Sequence, residues 1–258
     1  MKSNPKSIRF FLLRGLAREI RHWGSFPHIL KESHTCAEII PLEIPGAGHL
    51  RNLQSPIKTE DYIVNIRSQY QQFLKLHDQC DISVIIGLSF GGMLAATWIS
   101  LFPEDFQASV FINCSSRSSS FYERFRIRSA LSLIQSLFTR DSKKCEKIIA
   151  SCVCNVADIE VVASSWAKIR DDAPITGSNA LRQLYSAARF RFPTAITIPS
   201  LILCSSKDRL VSHSCSTRIA KQLQLPLITH PTAGHDLTTD APEWCSETIN
   251  HWLEKIFP

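Results

Sequence analysis

Short apolar runs and amphipathic stretches alternate along the first 113 residues. Ile8 to Leu13, Glu38 to Glu43, Ser83 to Ile86 and Ser109 to Ile112 are brief and rich in Ile, Val, Leu and Phe, the pattern of strands buried on both faces. Between the second and third, Thr59 to Leu76 carries Tyr62, Ile66, Tyr70 and Phe73 or Leu74 at helical spacing, with Glu60 and Asp61 in its first turn. Strands alternating with helices predict a mostly parallel sheet covered by helices. After "FINCSSRSSS" only helical periodicity continues to about Phe192. Strand patterns resume at Ser200 to Cys204 and Leu225 to Thr229, and a closing helix runs from Pro242 to Ile256. The expected organisation is therefore an α/β core of residues 1–114 and 200–258, interrupted by a helical cap of residues 115–199.

Composition changes this picture little, and charge changes it more. At 258 residues with 44% hydrophobic positions, the chain has ample material for a large core. The formal net charge is +6, and residues 115–199 hold thirteen Lys or Arg against seven Asp or Glu, so the whole excess lies in the cap and the rest balances. Such asymmetry concerns partners rather than fold: it draws anionic substrates or acidic macromolecules, or it is simply a solvated surface. The core is neutral and no nucleic-acid motif occurs, so no nucleic-acid partner is expected. Phe10 to Leu13 is too short for a signal sequence, and charged residues interrupt every longer apolar run. No membrane partner, a cytoplasmic location and a monomer are expected. Nine scattered cysteines form neither a disulfide framework nor a paired zinc motif, and read as reduced, mostly buried thiols.

The chemistry starts at "SVIIGLSFGGML", where Gly87-Leu88-Ser89-Phe90-Gly91 joins a strand to a helix. A serine forced into a sharp strand-to-helix turn exposes its hydroxyl, and small residues two before and two after relieve the crowding. The helix that follows presents its positive end to developing negative charge. A serine hydroxyl needs a base, and the base needs an orienting acid. Asp208 in "SLILCSSKDRLVS" follows an apolar strand, and His235 in "THPTAGHDLTTD" lies in a Gly-containing loop after the next. His49 in "PGAGHLRN" is the alternative base; Asp236 is an alternative acid, although a sequence neighbour rarely reaches round to the adjacent ring, which makes Asp208 the stronger choice.

With "LLRGL", "EIPGAG", "GLSFGG", "SSKDRLV" and "AGHD" in this order, the sequence resembles the α/β-hydrolase-fold esterases along nearly its whole length. That resemblance implies a serine carboxyl-ester hydrolase of the α/β-hydrolase fold, acting through Ser89, His235 and Asp208, with the amides of Leu16 and Phe90 as the oxyanion hole and no cofactor or metal. Arg14 and Ala47 stand where the family usually has histidines, and Arg14 is expected near the pocket mouth. A size-matched branch with a basic cap, the pimeloyl-acyl-carrier-protein methyl ester esterases of biotin synthesis, suggests an acyl ester presented by an acidic acyl carrier protein. Arg124 and Arg128, one turn apart, would then bind the carrier, and Phe121 and Phe125 would accept the acyl chain. For most apolar cap residues, including Leu131, Ile134, Leu137 and Phe138, packing of the cap onto the core is the favoured reading. A thioesterase, lactonase or C–C bond hydrolase would share the same catalytic residues. A non-catalytic binding module would have no need to keep all three.

Overall fold

The computed structural model describes residues 7–258 apart from Thr35 and Gln79, and the backbone alone at Arg128, Ala130 and Leu137. Six strands, β1 (Ile8–Leu13), β2 (Ala37–Leu42), β3 (Ile82–Leu88), β4 (Ala108–Ile112), β5 (Ser200–Ser205) and β6 (Leu227–His230), form one parallel sheet in the order β2-β1-β3-β4-β5-β6. The core helices are α1 (Phe26–Glu32), α2 (Thr59–Leu76) and α3 (Phe90–Leu101). Between β4 and β5 come α4 (Phe121–Arg124), α5 (Ile127–Phe138), α6 (Ser142–Val153), α7 (Ile159–Asp172) and α8 (Gly177–Arg189), with no strand among the described residues. The chain closes with α9 (His213–Leu223), α10 (Leu237–Asp240) and α11 (Pro242–Ile256).

The period-2 alternation of a strand explains how the sheet holds two layers of helix. Phe10 and Leu12 point to the side covered by α1 and α11, where Trp23, Phe26, Ile249 and Leu253 complete one cluster. Phe11 and Leu13 point to the other side, against Tyr62, Tyr70, Leu94 and Trp98 of α2 and α3. Phe73 packs against this cluster while Leu74 is exposed, which settles the phase of α2. A third cluster, with Val153, Val162 and Trp166, joins α6 to α7 within the helical segment. No helix among the described residues is long and apolar enough to cross a membrane, and the nine cysteines are free, seven of them buried.

Strand boundaries deviate from expectation where hydrogen bonds outlast the apolar run. β3 continues through Gly87 and Leu88 because these still pair with Phe111 and Ile112 of β4. β6 starts two residues later than its apolar pattern, because Gln224 ends α9 in a left-handed conformation and the Leu225 amide still bonds Ala220 O.

The strand order places the reactive loops. The chain goes from β1 to one side for β2 and to the other for β3, so the loops leaving β1 and β3 diverge and open a crevice at the carboxyl edge of the sheet. Arg14 to Leu16 follow β1, and Ser89 follows β3.

Candidate active site

Ser89 occupies the left-handed region, with φ 55° and ψ −114°. For a side chain other than glycine this costs on the order of 1–3 kcal/mol, and the surrounding contacts impose it. The Ser89 amide donates to Ile112 O at 2.8 Å, and α3 begins at the next residue. A Cβ on Gly87 would lie 2.4 Å from Gly91 O, and one on Gly91 would lie 1.9 Å from Leu13 O. Glycine at both positions lets the helix start fold back over β3 and β1, which is the physical content of the G-x-S-x-G spacing.

The structure brings the three expected residues together from three loops. Ser89 Oγ is 2.9 Å from His235 Nε2, and His235 Nδ1 is 2.7 Å from Asp208 Oδ2. Because a carboxylate only accepts, Nδ1 carries the proton and Nε2 is left to accept from the serine hydroxyl. The other Asp208 oxygen accepts from the Leu210 and Val211 amides at 2.8 and 2.9 Å, which fixes the carboxylate. Burial pulls the His235 pKa down, but the charge and hydrogen bond of Asp208 outweigh it and raise the value above that of an ordinary imidazole.

The alternatives separate cleanly. His49 is mostly exposed and sits 3.5 Å from Glu43 Oε2, whereas the ring bonded to Ser89 Oγ is that of His235. Burial, reinforced by the neighbouring Glu19 charge, raises Glu43 to about 7. Asp236 is claimed by Arg14: Nη1 donates to Oδ1 at 3.1 Å and Nη2 donates to Oδ2. Burial alone would raise the Asp236 carboxyl pKa, but the Arg14 charge and hydrogen bonds hold it below the usual range. Arg14 is therefore not at a pocket mouth. It is 1% exposed, with its guanidinium 4.9 Å from the Trp23 ring centroid and bonded to Thr238 Oγ1 at 3.3 Å.

For the oxyanion donors, Phe90 is the first residue of α3, where an amide has no acceptor within its own helix. The loop after β1 lies against the serine: a Cβ on Gly15 would come 3.7 Å from Ser89 Cβ. In that loop the Ala17 amide is taken by Gln183 Oε1 of α8 at 2.8 Å. Leu16 precedes it, partly buried against the core.

The cap residues correct the expectation. Arg124 is engaged within the chain: its guanidinium donates to Ala188 O at 2.7 Å and Ala187 O at 2.6 Å, occupying the carbonyls at the end of α8. Arg128 lies outside the described side chains. Phe125 is half-buried, while Phe121, Leu131, Ile134 and Phe138 are exposed rather than packed on the core; Leu137 is again outside the described side chains.

Three positioning residues were not visible in the sequence. Asn113, at φ 48°, donates through Nδ2 to His235 O at 2.7 Å and accepts from the Ser205 amide at 2.9 Å, tying β4 and β5 to the histidine loop. Its only sequence signal is an asparagine at a strand end, a residue type that tolerates left-handed backbone. Asp240 gathers the amides of Gly234 (2.6 Å), Asn155 (2.7 Å), Val156 (3.1 Å) and Ala157 (2.9 Å). Gln183 joins α8 to the loop after β1. The histidine loop and the α6–α7 connection are thus held by one carboxylate. Asp240→Ala should lower unfolding stability by about 2 kcal/mol, since it leaves the buried Gly234 amide and three part-buried amides without their acceptor, and should lower kcat more than it raises KM; denaturant titration and steady-state kinetics check both.

A family model for the alpha/beta hydrolase family matches residues 10–248. No curated protein matches the sequence. Among solved structures, the esterase EaEST from Exiguobacterium antarcticum superposes with a TM-score of 0.75 at 16% identity, covering 97% of this chain and 93% of its own. A thermophilic esterase from Thermogutta terrifontis gives 0.71 at 16% identity, over 99% and 92%. A lipase-esterase related protein from Clostridium acetobutylicum ATCC 824 gives 0.72 at 15% identity, over 96% of each chain. At these identities the likeness is one of fold.

Proposed function

We propose, from the premise that the chain belongs to the alpha/beta hydrolase family, that it is a serine carboxyl-ester hydrolase working through an acyl-enzyme. The observation that carries this reading is the Ser89–His235–Asp208 chain of hydrogen bonds. The esterases that share the fold support the same reaction class. His235 takes the Ser89 proton as Oγ attacks the ester carbonyl, and Asp208 stabilises the imidazolium. The Leu16 and Phe90 amides hold the oxyanion. Collapse of the tetrahedral intermediate breaks the ester C–O bond, and His235 passes its proton to the leaving alcohol. Water, deprotonated by His235, then attacks the acyl-serine; collapse of the second intermediate releases the acid and returns the proton to Ser89. Hydrolysis of p-nitrophenyl acyl esters across a range of chain lengths tests the reading, and a folded wild-type protein inactive on all of them contradicts it.

Only neutral His235 can act as the base, so kcat/KM should rise with pH as its proton is lost. Burial works against protonation, yet Asp208 keeps the proton on, so the midpoint should lie above the ordinary value near 6.5. Asp208→Asn should move the midpoint down as well as slow the reaction. A pH–rate profile of both proteins measures this.

The narrower substrate reading is a pimeloyl methyl ester on an acidic acyl carrier protein. Its support is the positive charge of residues 115–199. With Arg124 committed internally, the cations that would meet such a carrier are the exposed Arg117, Arg189 and Arg191, gathered where the Arg117 amide donates to Phe190 O at 2.8 Å. Hydrolysis of the methyl pimeloyl-carrier and complementation of a biotin auxotroph lacking its esterase test this reading. Failure of both, with p-nitrophenyl ester activity intact, would leave the esterase and remove the carrier.

A further inference from the structure

Helix α5 is mounted with its polar side inward. Successive residues turn by about 100°, which sets Ile127, Leu131, Ile134 and Phe138 in one narrow stripe and Ser129, Ser132 and Ser136 on the opposite face. The serine face is the buried one: Ser129 and Ser136 are 5% and 6% exposed, Ser129 Oγ donates to Arg209 O at 2.5 Å, and Cys145 of α6 donates through Sγ to Ser136 O at 3.3 Å. The apolar stripe faces outward, with Ile127 70%, Leu131 63%, Ile134 51% and Phe138 81% exposed. Phe121 and Tyr122 of α4, immediately before it, are also exposed. The contiguous apolar stripe along α5 is of the kind that marks an interaction site.

Charge selects among occupants. Exposed Arg126 and Arg140 bracket the helix, and α5 itself contains no acidic residue. From Arg117 to Asp141 the acids are Glu123, whose carboxylate is taken by Arg218 at 3.1 Å and by the Ser120 amide at 2.9 Å, and Asp141, which caps α6 by accepting from the Lys144 amide at 2.7 Å. Shape points the same way. Side chains exposed to this degree form a convex ridge, which a fluid apolar medium accepts directly and a rigid partner accepts only with a matching groove. An apolar ridge with aromatic members and arginines at its ends has the makeup of a helix that lies in a lipid interface.

We propose that α5 docks the protein on an anionic lipid surface, with Leu131, Ile134 and Phe138 inserted among acyl chains and Arg126 and Arg140 at the headgroups. This replaces the expectation of no membrane partner and does not depend on the esterase reading. The test is co-sedimentation of the full chain with phosphatidylglycerol-containing vesicles and with pure phosphatidylcholine vesicles. The wild type should bind the former more tightly and lose that preference in high salt. Leu131→Ser with Phe138→Ser should weaken binding about tenfold or more, and Arg126→Glu with Arg140→Glu should remove the anionic preference. Circular dichroism confirms folding, and hydrolysis of a soluble ester in the same preparations reads catalysis separately. The proposal is overturned if folded wild type ignores both vesicles, if the serine variant binds as well as wild type, or if the ridge proves to hold something else. The last case would show as a dimer, or a complex with acidic carrier protein, that the serine variant abolishes while wild type binds no vesicle.

Discussion

Replacing Ser89 by alanine should lower kcat/KM for ester hydrolysis by about 10⁴-fold or more, with folding unchanged. Removing the nucleophile of such a constellation costs on the order of 10⁶ in kcat, and a residual rate persists where oxyanion donors and binding survive. Alanine keeps the Cβ that the left-handed turn already accommodates, and it removes only the Oγ bonded to His235. Thermal unfolding should therefore stay near that of wild type. A variant retaining more than about a tenth of wild-type activity, beyond contamination, would mean that another group attacks the ester.

The largest expected loss of stability lies at Arg14. Substitution by methionine keeps much of the packing against Trp23 but leaves the Asp236 carboxylate buried without its cation, which typically costs about 3–5 kcal/mol. For a domain of this size the melting temperature should fall by roughly 10 °C or more. Adding Asp236→Asn should restore much of the loss, because the pair costs less to replace than to break. The pH dependence carries a sign. In wild type the depressed Asp236 pKa contributes stability above its ordinary value of 3.8, and that contribution is lost as pH falls through the lower folded value. In Arg14→Met the unpaired carboxylate should titrate higher, so lowering pH toward 5 should recover stability in the single variant relative to wild type. Melts of the three proteins at pH 5 and pH 7 measure this; equal melting temperatures for wild type and the single variant would contradict it.

The core was legible because parallel strands buried on both faces are written as plain apolar runs, and because long amphipathic helices repeat their pattern several times. Ile8–Leu13, Thr59–Leu76 and Pro242–Ile256 have the bounds their periodicity indicates. Ser89, Asp208 and His235 were legible since each sits in a short loop straight after a strand, where the fold delivers side chains to one edge. What escaped was long-range. Arg14 finds Asp236 222 positions later, and Asn113 finds His235 122 positions later, pairings that no local motif specifies. The cap was misread for a different reason. Periodicity reveals that α5 has an apolar face but not which way the helix is rotated, and here the serines turn inward.

Covalent labelling tests most directly whether Ser89 forms the acyl-enzyme. Folded protein treated with a fluorophosphonate and digested for mass spectrometry should carry one adduct per chain on the Ser89 peptide, absent in Ser89→Ala and slowed strongly in His235→Ala. Folded protein that takes no label at Ser89, or a Ser89→Ala variant labelled to the same extent elsewhere, would contradict it.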